Sequence, residues 1–280
     1  MLKISQLYIY PIKSLGGIAL NRATVTDRGF KYDRRWMVVD QNNLFISQRE
    51  IPQMALMRLK ISDDGILVDY PVKNSCLTIP FQPQTNELAD VTIWDDTCTG
   101  QFVSDEADKW FSSMLDIKCR LVYMPDETER IADQRYAHHN TIVSFADGFP
   151  FLLIGQASLD DLNNRLTEPL PMDRFRPNIV FTGGEPFQED AMHTFTIGNI
   201  VFRGIKLCAR CIITTIDQAN GAKSKEPLKT LARYRSRNNK ILFGQNIIHE
   251  GLGEINIGDH LEVLKLNHED RFNINAKTIY

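Results

Sequence analysis

Cys208 and Cys211 fall within Leu207-Cys208-Ala209-Arg210-Cys211-Ile212-Ile213-Thr214-Thr215-Ile216-Asp217, the densest run of chemically capable side chains in the chain. Three chemistries suit two cysteines at this spacing. Structural zinc would need a second ligand pair at suitable spacing, and the dispersed His193, His249 and His260 do not make one. A redox dithiol wants a strand-to-helix setting, whereas strands are expected before and after this segment. A single thiolate ligand for a soft metal centre is the third reading, with Arg210 nearby to favour the charged sulfur. The plain alternative is two small buried apolar side chains, and a lone C-x-x-C does not decide among them.

Three other segments carry groups that could bind or react. Met172-Asp173-Arg174-Phe175-Arg176-Pro177-Asn178 sets two arginines and an asparagine beside an expected strand, and guanidinium forks match phosphate geometry. An ion-paired loop, with Asp173 as partner, reads equally well. Tyr10-Pro11-Ile12-Lys13-Ser14 and Asp33-Arg34-Arg35-Trp36 each look like a charged strand end. In Ser144-Phe145-Ala146-Asp147-Gly148-Phe149-Pro150 the carboxylate sits in a turn, where capping is its ordinary role.

The elements that must position these residues are mostly strands, because apolar residues recur with a period of two. Residues 2–10 alternate as Leu2, Ile4, Gln6, Tyr8 and Tyr10 before Pro11. Hairpins are expected around Asp40-Gln41-Asn42-Asn43, Asp63-Asp64-Gly65, Gly198-Asn199 and Gly258-Asp259. Helices are few and short. One follows the cap Ser104 and buries Ala107, Trp110, Phe111, Met114 and Leu115; a second runs from about Ala157 to Leu166. A third starts at Glu226-Pro227, with Arg233, Arg235 and Arg237 expected to face outward. The polar, aperiodic stretch Tyr123–Thr141 reads as a linker or a long functional loop.

Composition narrows the function classes. The 280 residues are 43% hydrophobic and 24% charged, which suits a globular protein with one large all-β domain or two modest ones. Thirty-two Lys and Arg against 35 Asp and Glu give a formal charge of -3, so no basic excess points to nucleic acid or an anionic membrane. No apolar run approaches the roughly 20 residues of a membrane helix. The amino terminus reads as a strand rather than a signal peptide, which makes the expected location cytoplasmic. Five cysteines, an odd number and mostly scattered, do not suggest a secreted disulfide framework.

Taken together and in order, these segments resemble the MOSC family, named for the C-terminal domain of molybdenum-cofactor sulfurases, and especially its YcbX-type and amidoxime-reducing-component branches. YIYPIKSLGG, DRRW and SQRE are similar to the family's N-terminal β-barrel domain. SFADGFPFLL, FRPNIVFTG, CARCIITTID, EPLKTL and FGQN are similar to the MOSC domain. The resemblance implies a mainly β, barrel-rich fold with an N-terminal domain over residues 1–122, a MOSC domain over 123–268 and a tail over 269–280. It also implies a pterin-based molybdenum cofactor held between the domains.

By the same resemblance, Cys211 is the molybdenum ligand and Cys208 a companion without that role. Lys13, Ser14, Arg34 and Arg176 hold the cofactor's anionic end. Asp147 matches an acidic position near the metal, although Gly148 and Phe149 depart from the mitochondrial pattern. The implied reaction is reductive dehydroxylation of N-hydroxylated compounds: two electrons and two protons remove the oxygen as water and leave the N–H product. Asp147 is then expected to deliver a proton or to orient the substrate. The alternative within the family is a sulfur carrier or a molybdenum-cofactor-binding protein, with a persulfide on Cys211. A pyridoxal-phosphate association attaches to the family through full-length sulfurases, but no aminotransferase-like domain fits in 280 residues. YcbX-type chains often continue into an iron–sulfur domain, and no run of cysteines supplies one here. A separate electron-transfer protein, a ferredoxin- or flavodoxin-type reductase system, is the expected partner.

Overall fold

The computed structural model describes residues 1–137 and 141–267, so the tail expected at 269–280 lies outside the described residues. Strands dominate, and seven of them close a barrel: β1 (Leu2–Ile9), β2 (Phe151–Gly155), β3 (Ile179–Thr182), β4 (Met192–Ile197), β5 (Ile200–Ala209), β6 (Lys240–Glu250) and β7 (His260–Leu266). The circuit runs β2–β3–β1–β7–β4–β5–β6 and returns to β2. Every pairing is antiparallel except β2 with β3, which the helix Gln156–Asn163 connects as a crossover. The barrel is filled by side chains such as Ile4, Leu7, Phe151, Phe181, Phe195 and Phe202, each nearly inaccessible.

The first strand of the chain is therefore a stave of the barrel that the second half builds. It pairs with β3 from Lys3 opposite Thr182 to Leu7 opposite Ile179. The expected even-numbered alternation in it does not persist, because a bulge between Ile4 and Gln6 moves the inward face from Ile4 to Leu7 and Ile9. Tyr8 then faces away from the barrel interior and packs against a second cluster around Leu162, Phe175 and Phe243.

The remainder of the first half makes two smaller sheets. One has the order Trp36–Val39, Arg120–Tyr123, Asp96–Phe102, Leu88–Ile93; the other joins Arg58–Ile61, Gly65–Tyr70 and Ser75–Pro80. Helix Asp105–Leu115 lies over a core that includes Trp36, Val68 and Phe111. It is capped as expected: Ala107 N donates to Ser104 Oγ at 3.1 Å. A third small sheet ties the halves together, since Gly253–Asn256 pairs with Arg22–Thr26.

Three local expectations need correction. Gly258-Asp259 does make a turn, but its flanking strands pair elsewhere: Gly253–Asn256 with Arg22–Thr26, and β7 with β1 and β4. The helix after Glu226-Pro227 is only Leu228–Leu231, and Arg235 is buried at 6% exposure, ion-paired with Asp190. The stretch from Tyr123 is no loose linker over its described part, because Arg28 binds the Pro125, Asp126 and Thr128 carbonyls and Arg130 is itself buried.

Candidate active site

A cleft between the two halves is lined by Lys13, Ser14, Arg34, Asp147, Arg176 and Cys211. Residues far apart in sequence reach it because the chain around Tyr10 is stitched to the turn at Asp33. Tyr10 N donates to Asp33 Oδ1 at 2.7 Å, Arg34 N to Tyr10 O at 2.9 Å, and Lys13 N to Trp36 O at 2.8 Å. Gly17 permits the close approach, since a Cβ there would lie 2.6 Å from the Tyr10 ring.

Ser14, Arg34 and Arg176 all hold left-handed backbone, with φ of 69°, 50° and 53°. Such geometry disfavours residues with a Cβ by about 1 kcal/mol or more, and it tends to persist where surrounding structure enforces it at functional sites. Arg176 acquires it at the end of the short helix Met172–Phe175, which its N–H closes by donating to Asp173 O.

The arginines divide by partner. Arg174 is ion-paired with Asp217 at 2.8 Å, so the ion-paired-loop reading holds for it, although with a partner other than Asp173. Arg34 donates to Asp33 Oδ2 at 2.6 Å and to Asn178 Oδ1 at 3.2 Å. Arg176, 7% exposed, makes no ion pair or guanidinium hydrogen bond among the described residues and lies 4.2 Å from the centroid of the Tyr10 ring. Arg34 lies 4.5 Å from the same centroid. Burial, with a contribution from Arg34, pushes the Arg176 guanidinium down to about 10, still charged near neutral pH. A buried guanidinium without an acceptor, beside a second cation, is a site for an anion.

Asp147 lines the same cleft. Its Oδ1 accepts from Lys13 Nζ at 2.5 Å and from Trp94 Nε1 at 3.2 Å. Its surroundings would raise the carboxyl by desolvation, but the Lys13 charge and hydrogen bond, the Trp94 N–H and the Arg49 charge prevail and hold it well below the usual carboxylate range. An ionised carboxylate has no proton to give near neutrality, so this environment favours orientation over proton delivery. Its loop is fixed by Arg130, whose guanidinium donates to the Ser144, Ala146 and Asp147 carbonyls and pairs with Asp96 at 2.6 Å.

Cys211 begins the short helix Ile212–Thr215, where Thr214 N and Oγ1 both donate to its carbonyl. Cys208, at the end of β5, also lines the cleft. Of the two sulfurs, Arg210 serves Cys208: its Nη1 donates to Cys208 Sγ at 3.1 Å and its Nη2 to Phe175 O at 2.6 Å. Among the described residues no three His, Cys, Asp or Glu side chains converge as a metal-ligand set, which leaves the zinc reading without partners. Burial pushes the thiols of the half-buried Cys98 and the buried Cys119 up to about 11, which leaves little reactive thiolate near neutral pH.

Sequence reasoning did not single out Arg49, Trp94 or Arg130. SQRE belongs to the family resemblance as a block, but nothing in it marks Arg49 as facing the cleft. Trp94 is a turn residue at φ 56°, an unfavourable conformation for a bulky side chain and the one local sign of constraint there.

With this geometry in place, the class of the protein follows. Residues 1–118 match the MOSC N-terminal beta barrel domain and residues 140–262 match the MOSC domain, and the chain belongs to the MOSC family. It is similar to mitochondrial amidoxime-reducing component 1 of Mus musculus, with 33% identity over 93% of this chain and 82% of that protein. The Homo sapiens component 1 is 31% identical over 93% and 82%. The molybdenum cofactor sulfurase of Oryza sativa subsp. japonica is 29% identical over 90% of this chain but only 33% of its own length. The family connection is thus to molybdenum-cofactor chemistry. The residues present fit such a group: an acceptor-free buried guanidinium suits its anionic end, and a cysteine in the same cleft suits a soft metal. Among the described residues, no helix is long and apolar enough to cross a membrane.

Proposed function

We propose that this protein is a molybdenum-cofactor-dependent reductase of N-hydroxylated compounds. The observation that carries the proposal is the buried Arg176 guanidinium, without a protein acceptor, lining the cleft that Cys211 also lines. Cys211 would hold the metal as its thiolate ligand, while Lys13, Ser14, Arg34 and Arg176 would bind the cofactor's anionic end. When bound, the cofactor supplies the two-electron couple needed for oxygen removal.

The chain's own residues supply position and charge. Arg34 and Arg176, braced on Tyr10, offer guanidinium donors whose planes are already set. Asp147 presents a carboxylate that can accept from the N–H and O–H groups of a substrate, and Lys13 holds it in place. Each turnover consumes two electrons and two protons, and the oxygen leaves as water. A separate electron-transfer protein, of the ferredoxin- or flavodoxin-type reductase class, would restore the electrons. The names of the amidoxime-reducing relatives support the substrate class, and cytoplasmic location is part of the same proposal.

The test is anaerobic purification, elemental and pterin analysis, and reduction of benzamidoxime with NADPH in the presence and absence of such a reductase system. The proposal expects molybdenum with pterin, and turnover that depends on the reductase. Apo protein carrying labile sulfane sulfur on Cys211 would overturn it in favour of a sulfur carrier.

A further inference from the structure

Arg49 lines the cleft with Asp147 and Cys211, and its guanidinium contacts Trp94 where Arg34 and Arg176 contact Tyr10. Its backbone is held from both halves of the chain. Arg49 N donates to Ser47 Oγ and Ser47 N to Glu50 Oε2, each at 3.3 Å, closing a local turn. The fully buried Gln48 exchanges amide hydrogen bonds with Gln218, 3.3 Å in each direction, and Lys223 Nζ donates to Arg49 O at 3.2 Å. Gln218 and Lys223 follow Cys211 in the chain, so the segment that begins at the cleft cysteine also clamps Arg49.

The side chain is oriented but unsatisfied. Its guanidinium lies 4.1 Å from the Trp94 ring centroid, and its buried Nε has no hydrogen-bond partner among the described residues. Trp94 is 40% exposed and donates its indole N–H to Asp147 Oδ1. Arg49, Trp94 and Asp147 thus form one wall: a cation stacked on a ring whose N–H is tied to a carboxylate. Arg49 contacts Trp94, whereas Arg34 and Arg176 both contact Tyr10, and the Asp147 carboxylate acts on all three cations. Two separate anion-seeking groups therefore face one cleft. The set proposed for the cofactor's anionic end, Lys13, Ser14, Arg34 and Arg176, does not include Arg49.

We infer that Arg49, backed by Trp94, is a substrate-side subsite that takes a carboxylate carried on the N-hydroxylated substrate, while Asp147 holds the donors of the reacting end. This rests on the function proposed above. A guanidinium fork held over an indole can offer two parallel N–H donors to the two carboxylate oxygens. The substrate class is an N-hydroxylated amidine or related compound with an acidic group remote from the N–O bond.

The experiment compares 4-carboxybenzamidoxime with benzamidoxime as substrates of the molybdenum- and pterin-loaded protein. The ratio of their kcat/KM values should fall by about tenfold in Arg49→Gln, through KM for the acidic substrate, and recover in part in Arg49→Lys. Calorimetric binding of 4-carboxybenzamidine, which lacks the N–OH group, should weaken by a similar factor, with bound pterin unchanged. An unchanged ratio with loss of pterin would assign Arg49 to the cofactor and overturn the inference; an unchanged ratio and unchanged binding would overturn it outright. If the wild type reduces neither amidoxime, the proposed function fails, and the calorimetric comparison still decides whether Arg49 binds carboxylate.

Discussion

Lys13 Nζ donates to Asp147 Oδ1 across a separation of 134 residues, and the same ammonium also donates to Phe145 O at 2.8 Å. One buried cation therefore fixes both the backbone and the carboxylate of the loop that faces the cleft. Because the carboxyl of Asp147 is held below the usual range, whatever the contact adds to stability is present above ordinary carboxylate pKa values. It is lost only as pH falls through the depressed folded-state value.

That sign yields the first prediction. Asp147→Asn should lower kcat/KM for an N-hydroxylated substrate by a similar factor, of order tenfold, at every pH from 5 to 8. The group stays ionised across that window and contributes no limb to the wild-type profile. The comparison of pH–rate profiles checks this. A wild-type limb that vanishes only in Asp147→Asn would show that the carboxyl titrates in the working range and serves as the proton donor.

The two cleft cysteines should not be interchangeable. Cys211→Ser removes the proposed thiolate ligand and should abolish reductase activity and strip bound molybdenum while the chain stays folded. Cys208→Ser should keep much of the activity, because Arg210 can hydrogen-bond a hydroxyl and retains its bond to Phe175 O. Metal content, circular dichroism and turnover of both variants supply the check. Equal loss in both would indicate a two-cysteine centre.

Bound pterin is the readout for the Arg34–Arg176 pair. Arg176→Ala should lower pterin content several-fold with little effect on thermal stability, since no protein acceptor loses its partner. Arg34→Ala should lower pterin too but also destabilise, because Asp33 and Asn178 each lose a hydrogen bond. Arg176→Lys should be only partly tolerated, as it lacks the planar fork. Wild-type pterin content in both alanine variants would refute the assignment.

Lys13, Arg34, Arg176 and Cys211 are legible through the long motifs that carry the family resemblance, although Lys13 and Arg34 reach Asp147 and Asn178, 134 and 144 residues away. Arg130 and Trp94 lie outside those motifs, and their roles depend on non-local packing alone. Arg130 reaches the Asp147 loop from an aperiodic stretch, and Trp94 reaches Asp147 from a hairpin tip 53 residues away. The turn at Gly258-Asp259 was readable, but not the partners of its strands, since turn chemistry is local and strand pairing is not. The bulge in β1 likewise left no sign in the alternation of its residues. Arg235 looked like part of a solvated basic run because its partner, Asp190, is 45 residues away.

The last prediction concerns Glu189, which no part of the proposed chemistry uses. Its side chain is fully buried, Oε2 accepts from Ser158 Oγ at 2.8 Å, and Oε1 has no partner among the described residues. Burial first, and the neighbouring Asp190 second, push its carboxyl up to about 7 from an ordinary 4.5. The folded state then binds the proton more tightly than the unfolded chain. The stability it contributes is fully present below about pH 4.5 and is lost as pH rises through about 7. Glu189→Gln keeps the shape and cannot ionise, so the variant should gain on the wild type between pH 5 and 8, by up to about 3 kcal/mol. Urea unfolding of both proteins at pH 5, 6, 7 and 8 measures the difference. A difference that is flat across that range would show that Glu189 is ionised throughout and has found a donor for Oε1.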